Sequence, residues 1–317
     1  MPRTTKPRSG SLQFWPRKRA KRIRVRSWAK SNEARILGFS GYKVGMTHLM
    51  AIDNRPNSLT KNTEIMVPAS IIECPPIKTA SIRFYKNTEK GLKAVSEIWA
   101  DNLDKELERA ILIPKKKKIE DVKGYDDIRL LVYTQPKLTC IGKKKPELSE
   151  IAIGGKKEDK LKYAKDKLGK EIVIGDVLKE GQQLDFHAIT KGKGFQGPVK
   201  RFGIGLRSHK SEKSRRNPGS LGPWCGQGHV MWRVAHAGKM GYHLRTEYNK
   251  HLLKIGNKGE EINPKGGNIR YGLIKNSYIL VKGSIGGPKK ALVRFNFAIR
   301  EDKNIPKEAP LIKYIRK

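Results

Sequence analysis

The chain has 317 residues and a formal net charge of +38, from 68 lysines and arginines against 30 aspartates and glutamates. Hydrophobic residues make up 37%, below the roughly 45–50% of an ordinary globular chain, so part of the chain does not contribute to a core. So large an excess of one sign predicts a polyanionic partner. A membrane surface is disfavoured because the sequence has no run of about 18 apolar residues and no obvious basic amphipathic helix.

The cysteines and the N-terminus indicate a compartment. Cys74, Cys140 and Cys225 lie far apart without CxxC spacing, which disfavours a disulfide framework or a zinc ribbon. Residues 1–30 lack the apolar stretch of a signal peptide. We therefore expect a soluble protein of the cytoplasm.

The first segment, residues 1–35, is predicted to be a basic N-terminal extension. Its first 30 residues contain no acidic residue and many arginines and lysines, interspersed with Trp15, Trp28 and three prolines. Such a segment cannot bury enough apolar surface to fold alone. A disordered tail or a nuclear-localisation patch is one interpretation, but the tryptophans and prolines favour a tail that a partner orders.

A β-rich domain is predicted to begin at Ile36. The string 34–53 mixes β-branched and aromatic residues with glycines, which indicates a hairpin, and residues 64–74 and 78–86 are expected to form two further strands. Apolar residues then recur at helical spacing from Leu92 to Ile111, which predicts an amphipathic helix that ends before Pro114.

The pattern of strands continues after this predicted helix. Residues 128–135 indicate a buried strand, 156–169 a short charged helix, and 171–190 a return to strand and turn. Residues 277–283 and 291–299 have the composition and alternation of strands. We predict a globular domain of residues 36–190 and 268–317, with a helical insertion at about 91–170.

Residues 191–267 interrupt this domain with a long basic arm. The arm is rich in Gly, Lys, Arg and His and is far longer than the roughly 4–6 residues of a typical connection, so it must be disordered or functional. Its string GKGFQG fits G-x-G-x-x-G, but no apolar helix follows and Asn217 stands where a dinucleotide site needs an acid. We instead expect Gly194 and its neighbours to let the backbone approach phosphates, with charge from Lys191, Lys193, Lys200 and Arg201.

Histidines and tryptophans in the arm allow several interpretations. Cys225, His229, His236 and His243 match no common zinc spacing, and no nucleophile or carboxylate accompanies them, so we predict neither a metal site nor catalysis. Trp232 fits a small local core with Val230 and Met231 as well as it fits RNA. Trp224 has almost no apolar neighbour in sequence, which favours stacking on an RNA base.

Several long strings in the chain resemble one protein family. They are GYKVGMTHLM (41–50), TKGKGFQGPVKRFG (190–203), PGSLGPW (218–224), HVMWRVAHAGKMGYHLRTEYNK (229–250) and ILVKGSIGGPKK (279–290). These strings closely resemble the archaeal and eukaryotic form of the ribosomal protein L3 family of the large subunit. The resemblance implies a mainly β fold, with a six-stranded translation-protein-type β-barrel, a helical insertion, and an N-terminal tail and central arm buried in rRNA.

The resemblance also implies a function and a set of partners. The chain would be a non-catalytic constituent of the large ribosomal subunit that binds 23S-type rRNA, contacts neighbouring ribosomal proteins, supports early assembly and shapes the surroundings of the peptidyl transferase centre, with Trp224 at the tip of the arm. No cofactor, metal, membrane or small-molecule substrate is expected. The expected rRNA-binding residues are Arg17, Arg19, Arg22, Arg24, Lys191, Lys193, Gly194, Lys200, Arg201, Arg207, His209, Arg215, Arg216, Trp224, His229, Trp232, Arg233, Lys239, His243 and Arg245.

Two other classes of protein compete with this hypothesis. An rRNA-modifying enzyme could use the same basic segments for docking, although it would need a cofactor pocket or a catalytic constellation that the sequence does not offer. A chromatin-type DNA-binding protein would share the charge but would bind duplex DNA as well as rRNA.

Overall fold

The computed structural model describes residues 7–113, 122, 124–211, 213–222, 228 and 230–317. In chain order the strands are Gly38–Ile52 (β1), Glu64–Glu73 (β2), Ile77–Thr88 (β3), Gly91–Trp99 (β4), Asp127–Thr134 (β5), Leu148–Ala152 (β6), Glu171–Ile172 (β7), Gln183–Ile189 (β8), Phe195–Gln196 (β9), Gly238–Lys239 (β10), Leu244–Gly256 (β11), Tyr278–Lys282 (β12), Leu292–Phe297 (β13) and Ile312–Ile315 (β14). The α-helices are Lys157–Lys167 (α1) and Pro198–Phe202 (α2), and short 3-10 helices span Leu12–Phe14, Lys105–Arg109, Pro136–Leu138, Ile174–Asp176 and Gly259–Glu261. The expectation of a mainly β protein is confirmed.

The largest sheet has seven strands in the order β13-β8-β11-β12-β2-β1-β14. A further pairing joins β13 to β1, with Phe39 opposite Phe295, so six of the strands form a closed circuit of hydrogen-bonded neighbours. Six is the strand number that the family resemblance implies. Strand β14 lies outside the circuit, on β1.

A second sheet has the order β4-β3-β5-β6, with β7 added beside β3. An antiparallel bridge between Ile36, just before β1, and Ile153, just after β6, joins the two sheets. The hydrogen bond between the hydroxyls of Tyr42 and Thr134, at 2.9 Å, joins them as well. Buried apolar side chains from both sheets, including Phe39, Ile82 and Phe295, form one continuous cluster. Strands within 271–299 therefore share a core with strands of 36–85 and 128–190.

The chain divides into two compact units. Unit 1 consists of residues 1–22 and 189–245, and unit 2 of residues 23–188 and 246–317. The domain bounds inferred from sequence remain a prediction. Strand β11 lies within 191–267, where the sequence suggested no regular element. Among the described residues, every helix is too short or too polar to cross a lipid bilayer.

The predicted hairpin at 34–53 is wrong, because β1 runs unbroken for 15 residues. Gly41 marks a close approach instead of a turn, since a Cβ atom there would lie 2.7 Å from Ile72 Cγ2 and 2.8 Å from the Glu73 carbonyl oxygen. The strand accommodates another glycine, Gly45, in a register shift against β2. Glycine in a strand can thus indicate tight packing or a bulge as well as a turn.

The predicted amphipathic helix from Leu92 to Ile111 is also wrong. Residues 91–99 form β4, which pairs with β3 across a tight turn, and a 3-10 helix follows at Lys105–Arg109. The apolar spacing misled because two of its members, Leu92 and Val95, are about half exposed. Hydrogen bonding to a neighbouring strand overrides a short periodic pattern. Within the predicted helical insertion, the described α-helix is α1, which confirms the charged helix expected at 156–169.

Candidate nucleic-acid interface

Unit 1 carries half of the net charge of the protein. Its 79 residues include 20 lysines and arginines and one acidic residue, Glu212, which gives +19 of the total of +38. All ion pairs found among the described residues lie in unit 2. The cations of unit 1 are therefore not neutralised by the described part of the chain, and they are available to an external anion.

Aromatic rings hold the N-terminal segment of unit 1 in place. The ring of Trp15 stacks on Phe202 with centroids 5.8 Å apart and meets the edge of Trp232 at 5.6 Å. Phe202 ends α2 and is buried, whereas Trp232 is 63% exposed. Gly10 packs closely against Phe202, since a Cβ atom at this residue, whose φ is +82°, would lie 2.5 Å from Phe202 Cδ1. This aromatic cluster is a small core that joins residues 10–15 to residues 202–232.

Arginines also lie over aromatic rings of unit 1. The guanidinium of Arg17 lies 4.3 Å from the centroid of Phe202, and that of Arg245 lies 4.7 Å from the centroid of Phe14. Such cation–π contacts contribute about 0.5–2 kcal/mol, depending on desolvation. The rings therefore fix the direction of two cations that would otherwise sample many rotamers.

Backbone oxygens complete the attachment of the tail. Arg8 donates to the carbonyl of Arg233 at 2.5 Å, and Arg17 donates to the carbonyl of Arg201 at 3.3 Å. The imidazole Nδ1 of His243 donates to the carbonyl of Lys18 at 2.8 Å. In the reverse direction, the backbone N–H of Ala20 donates to the carbonyl of Tyr242 at 2.8 Å. Side chains that the sequence suggested as RNA contacts thus also bind the protein backbone.

The GKGFQG segment contains β9 and leads into α2. Gly194 has a φ of +67° and Gly197 precedes Pro198, the first residue of the helix. The space beside Gly194 and Gly197 is open for 4 Å around an ideal Cβ position. Arg201 ties this helix to β10 by donating to the carbonyls of His236 at 3.0 Å and Lys239 at 3.2 Å. The backbone around the glycines is therefore accessible, and the hydrogen bonds of Arg201 hold the helix that follows it in place.

A loop of the arm is closed by its own arginine. The backbone N–H of Arg207 donates to the carbonyl of Arg215 at 3.0 Å, and the guanidinium of Arg207 donates to the carbonyl of Pro218 at 2.5 Å. The side chains of His209, Arg215 and Arg216 around this loop are exposed. A closed loop presents these three cationic or neutral donors together on its surface.

The electrostatics of the aromatic cluster favour an anion. Burial lowers the pKa of Arg17, and the charges of Arg201, Arg245 and Arg8 lower that pKa further. Burial also lowers the pKa of Arg201 and of Arg245. Each of these guanidinium groups still remains charged at neutral pH. A phosphate near them would relieve repulsion that the protein itself does not compensate.

The expected rRNA-binding residues fall into four groups. Most are exposed, as the hypothesis requires: Arg19, Arg22, Arg24, Lys191, Lys193, Gly194, Lys200, Arg207, His209, Arg215, Arg216, Trp232, Arg233 and Lys239. Arg17, Arg201 and Arg245 are half-buried, and His243 is buried. Trp224 and His229 lie outside the described residues. Arg24 belongs to unit 2, while the others belong to unit 1.

Sequence reasoning missed the scaffold behind these cations. It associated Trp15 with an external partner and assigned no role to Phe14 or Phe202, although all three contact side chains of unit 1. A local core with Val230 was one interpretation of Trp232. The ring of Trp232 instead contacts Trp15 of the tail, and Val230 is 44% exposed. Within the described ranges, no three His, Cys, Asp or Glu side chains are grouped to hold a metal ion; Cys225 and His229 lie outside those ranges.

A β scaffold with a second unit of uncompensated positive charge defines a class, the nucleic-acid-binding proteins that use basic extensions. Comparison with known proteins narrows this class. The family model for ribosomal protein L3 matches residues 1–316. The chain belongs to the ribosomal protein L3 family.

Curated relatives are similar to this chain along nearly their whole length. Proteins named large ribosomal subunit protein uL3 are 49% identical in Methanocaldococcus jannaschii, over 98% of this chain and 96% of the relative. The identity is 50% in Archaeoglobus fulgidus, over 94% and 93%, and 50% in Methanosphaera stadtmanae, over 99% and 98%. The resemblance to an archaeal form is confirmed.

Proposed function

We propose that unit 1 anchors this protein in the large ribosomal subunit by binding 23S-type rRNA. The observation that carries the proposal is the charge of unit 1, with 20 basic residues, one acidic residue and no ion pair among its described residues. As a member of its family the chain is a structural constituent of the large subunit, which lies in the cytoplasm, and its partners are rRNA and other ribosomal proteins.

The binding mechanism follows from elementary polyelectrolyte physics. Each phosphate that is neutralised releases condensed counterions, which favours association and makes it dependent on salt. Exposed side chains such as Arg19, Lys193 and Arg216 supply this charge without reading sequence. The open backbone at Gly194 allows close approach of an RNA strand. We therefore infer that recognition depends mainly on the shape of folded RNA.

Two finer roles belong to the same proposal. We infer that unit 2 folds on its own buried core and that unit 1 becomes fully stabilised when rRNA neutralises it, which suits a protein that joins the subunit early in assembly. We also infer that the arm approaches the peptidyl transferase centre, with Trp224 at its tip. The high density of cations and glycines in the arm supports this second inference.

The alternative of an rRNA-modifying enzyme is not supported. The matched family and its curated relatives are structural ribosomal proteins, and the protein is not an enzyme. The third hypothesis, a chromatin-type DNA-binding protein, is an outcome that the following experiment can detect.

A competition experiment tests the proposal. The full chain is equilibrated at physiological salt with labelled fragments of large-subunit rRNA, and unlabelled duplex DNA or rRNA of equal length is added. We expect rRNA to compete at least about tenfold better than duplex DNA, because folded RNA offers the shape that the extensions fit. Equal competition by the two nucleic acids would overturn the proposal.

A further inference from the structure

Unit 2 contains a cavity whose lining residues include none of those proposed to bind rRNA. It has a volume of about 160 Å³ and opens between the end of β1, the start of β2, strand β11, the end of β12 and residues 305–310. The bond from the Asn54 side chain to the carbonyl of Glu308, at 2.9 Å, closes part of its rim. All of the lining residues belong to unit 2.

Much of the cavity wall is apolar. Ala51, Val67 and Leu253 are buried there, and Ile305 and Pro310 are half-buried. An apolar cavity of about 150 Å³ holds a molecule the size of benzene. The cavity therefore has room for one small apolar body, such as a ring or a branched side chain.

The polar side of the cavity has more positive than negative charge available. Its one carboxylate, Asp53, already accepts two bonds from the guanidinium of Arg55, at 2.9 and 2.7 Å, and a third from Thr60 at 2.6 Å. Lys250 pairs with Glu247 at 3.1 Å. Lys282 is half-buried, and in the part of the chain that the structure describes its ammonium group makes no hydrogen bond or ion pair. One cation is thus left to a ligand.

His251 is the second polar group without a complete set of partners. The residue is only 5% exposed, and its Nε2 has no hydrogen-bond partner among the described residues. Burial lowers the pKa of His251 and the charge of Lys282 lowers it further, while a bond from the ring to the backbone of Gly181 raises it. The ring is therefore neutral at pH 7, and a nearby anion would favour its protonated form, in which Nε2 donates.

We propose that this cavity binds a small carboxylate on an apolar body, the carboxylate held by Lys282 and His251 and the body packed against Val67 and Leu253. The ammonium of Lys282 and the Nε2 of His251 have no hydrogen-bond partner among the described residues, and a carboxylate supplies an acceptor to both of them when the ring is protonated. The apolar wall favours ligands in which the carboxylate is attached to an apolar group. A free metabolite and the terminal residue of a neighbouring polypeptide present this same chemistry.

An RNA phosphate fits the cavity poorly. A phosphate in a strand carries a ribose on either side, and a volume of about 160 Å³ with an apolar wall excludes both. Burying the polar sugar hydroxyls against Val67 and Leu253 without hydrogen bonds would also cost free energy. The site is therefore independent of the rRNA interface, and its test does not depend on that proposal.

Calorimetric titration of the full chain with matched small molecules tests the site. Benzoate has a benzene-sized body and a carboxylate, benzamide is its neutral isostere, and inorganic phosphate is an anion without an apolar body. We expect benzoate to bind with one site per chain and at least about tenfold more tightly than benzamide or phosphate. The imidazole resonances of His251 are expected to shift when benzoate is added and to stay unchanged when benzamide or phosphate is added. Equal binding of the three probes, or no binding of benzoate at millimolar concentration, overturns the proposal.

Variants locate the site, and a peptide distinguishes a free metabolite from the terminal residue of a polypeptide as its natural ligand. Lys282→Met and His251→Gln are expected to weaken benzoate binding at least about tenfold, while Lys86→Met, an exposed lysine on β3 outside the cavity, leaves it unchanged. Unchanged binding in both cavity variants overturns the proposal. The peptide acetyl-Gly-Gly-Phe with a free C-terminus displaces benzoate if a polypeptide terminus is the natural ligand, whereas a site that admits only free carboxylates excludes it.

Discussion

The indole of Trp15 stacks on the phenyl ring of Phe202 with 5.8 Å between centroids, although one residue lies in the N-terminal tail and the other ends α2 in the arm. Neither segment has a core of its own. Their rings bury each other and place Arg17 against the far ring at 4.3 Å. The tail of unit 1 is thus held by aromatic packing inside the protein, and its cations are ordered as a consequence.

Replacing Trp15 by Ala should loosen the tail without disturbing unit 2. The substitution removes the ring contacts with both Phe202 and Trp232, which we expect to destabilise the tail by roughly 1–3 kcal/mol because the site is only half-buried. Hydrogen exchange at the Ala20 amide, which donates to Tyr242, reports this opening directly. We expect that amide to exchange at least about tenfold faster in the variant.

Gln13→Ala is the matched control for this prediction, since Gln13 is an exposed neighbour that makes no ring contact. Its Ala20 amide should exchange as in the unmodified protein. Equal protection in Trp15→Ala would show that the backbone bonds of Arg8, Arg17 and His243 hold the tail without the rings.

Removing exposed arginines should reduce the salt dependence of rRNA binding. Arg19, Arg215 and Arg216 are exposed in unit 1. If each contacts one phosphate, each change to Ala lowers the slope of log K against log salt by about 0.7–0.9. Titrations at several salt concentrations measure the slope, with Lys165→Ala on α1 of unit 2 as the control. If the slope changed as much in the control, cations of unit 2 would contribute to rRNA binding as much as those of unit 1, which contradicts the prediction.

Much of the β fold could be predicted from sequence, because the residue pattern within each strand reflects which of its faces are buried. Strands such as 64–74 and 291–299 alternate or run apolar because one or both faces are buried, so their pattern records their environment. The same logic failed at Leu92 and Val95, whose apolar spacing has no buried face behind it. Local pattern alone could not tell this exposed strand from a helix.

The candidate interface was predictable in composition but not in arrangement. Exposed cations could be inferred because lysine and arginine are seldom buried without a partner. The partnership of Trp15 with Phe202 could not, since it joins two segments that lack periodicity and lie far apart in the chain. His243 shows the same limit, because nothing local indicates that its imidazole donates to the carbonyl of Lys18.

Asp53 should make unfolding of unit 2 dependent on pH in acid. Hydrogen bonds from Arg55, Thr60 and Ser58 hold the pKa of Asp53 well below its ordinary value, even though burial opposes this. The folded pKa is therefore lower than the unfolded pKa near 3.9, so the unfolded chain takes up the proton first. The stabilisation is complete above about pH 5 and is lost progressively as pH falls toward the folded pKa.

Urea unfolding between pH 6 and pH 3 measures this contribution. Asp53→Asn should lower the free energy of unfolding at pH 6 and should lose less of it on acidification than the unmodified protein. Glu89→Gln, at an exposed turn, is the control and should keep the full pH dependence. Parallel curves for the unmodified protein and Asp53→Asn would contradict the assignment of this carboxylate.

Glu73 should be among the residues that unit 2 tolerates least when changed. It is fully buried and accepts hydrogen bonds from the hydroxyl of Tyr271 at 2.5 Å, the backbone N–H of Lys275 at 2.9 Å, and both the backbone and side-chain N–H of Asn276 at 3.0 and 2.9 Å. Glu73→Ala leaves all four donors without this acceptor, and we expect a loss of roughly 3–5 kcal/mol in the free energy of unfolding.

The same strand provides the control for Glu73. Glu64 begins β2, is about half exposed and pairs with Lys313, so Glu64→Ala should cost no more than about 1 kcal/mol. Burial also raises the pKa of Tyr271, and the nearby charge of Glu73 raises it further. Spectroscopic titration of Tyr271 in Glu73→Gln should therefore show a lower pKa than in the unmodified protein. An unchanged tyrosine titration together with a small loss of stability would mean that Glu73 is not the acceptor that holds residues 271–276.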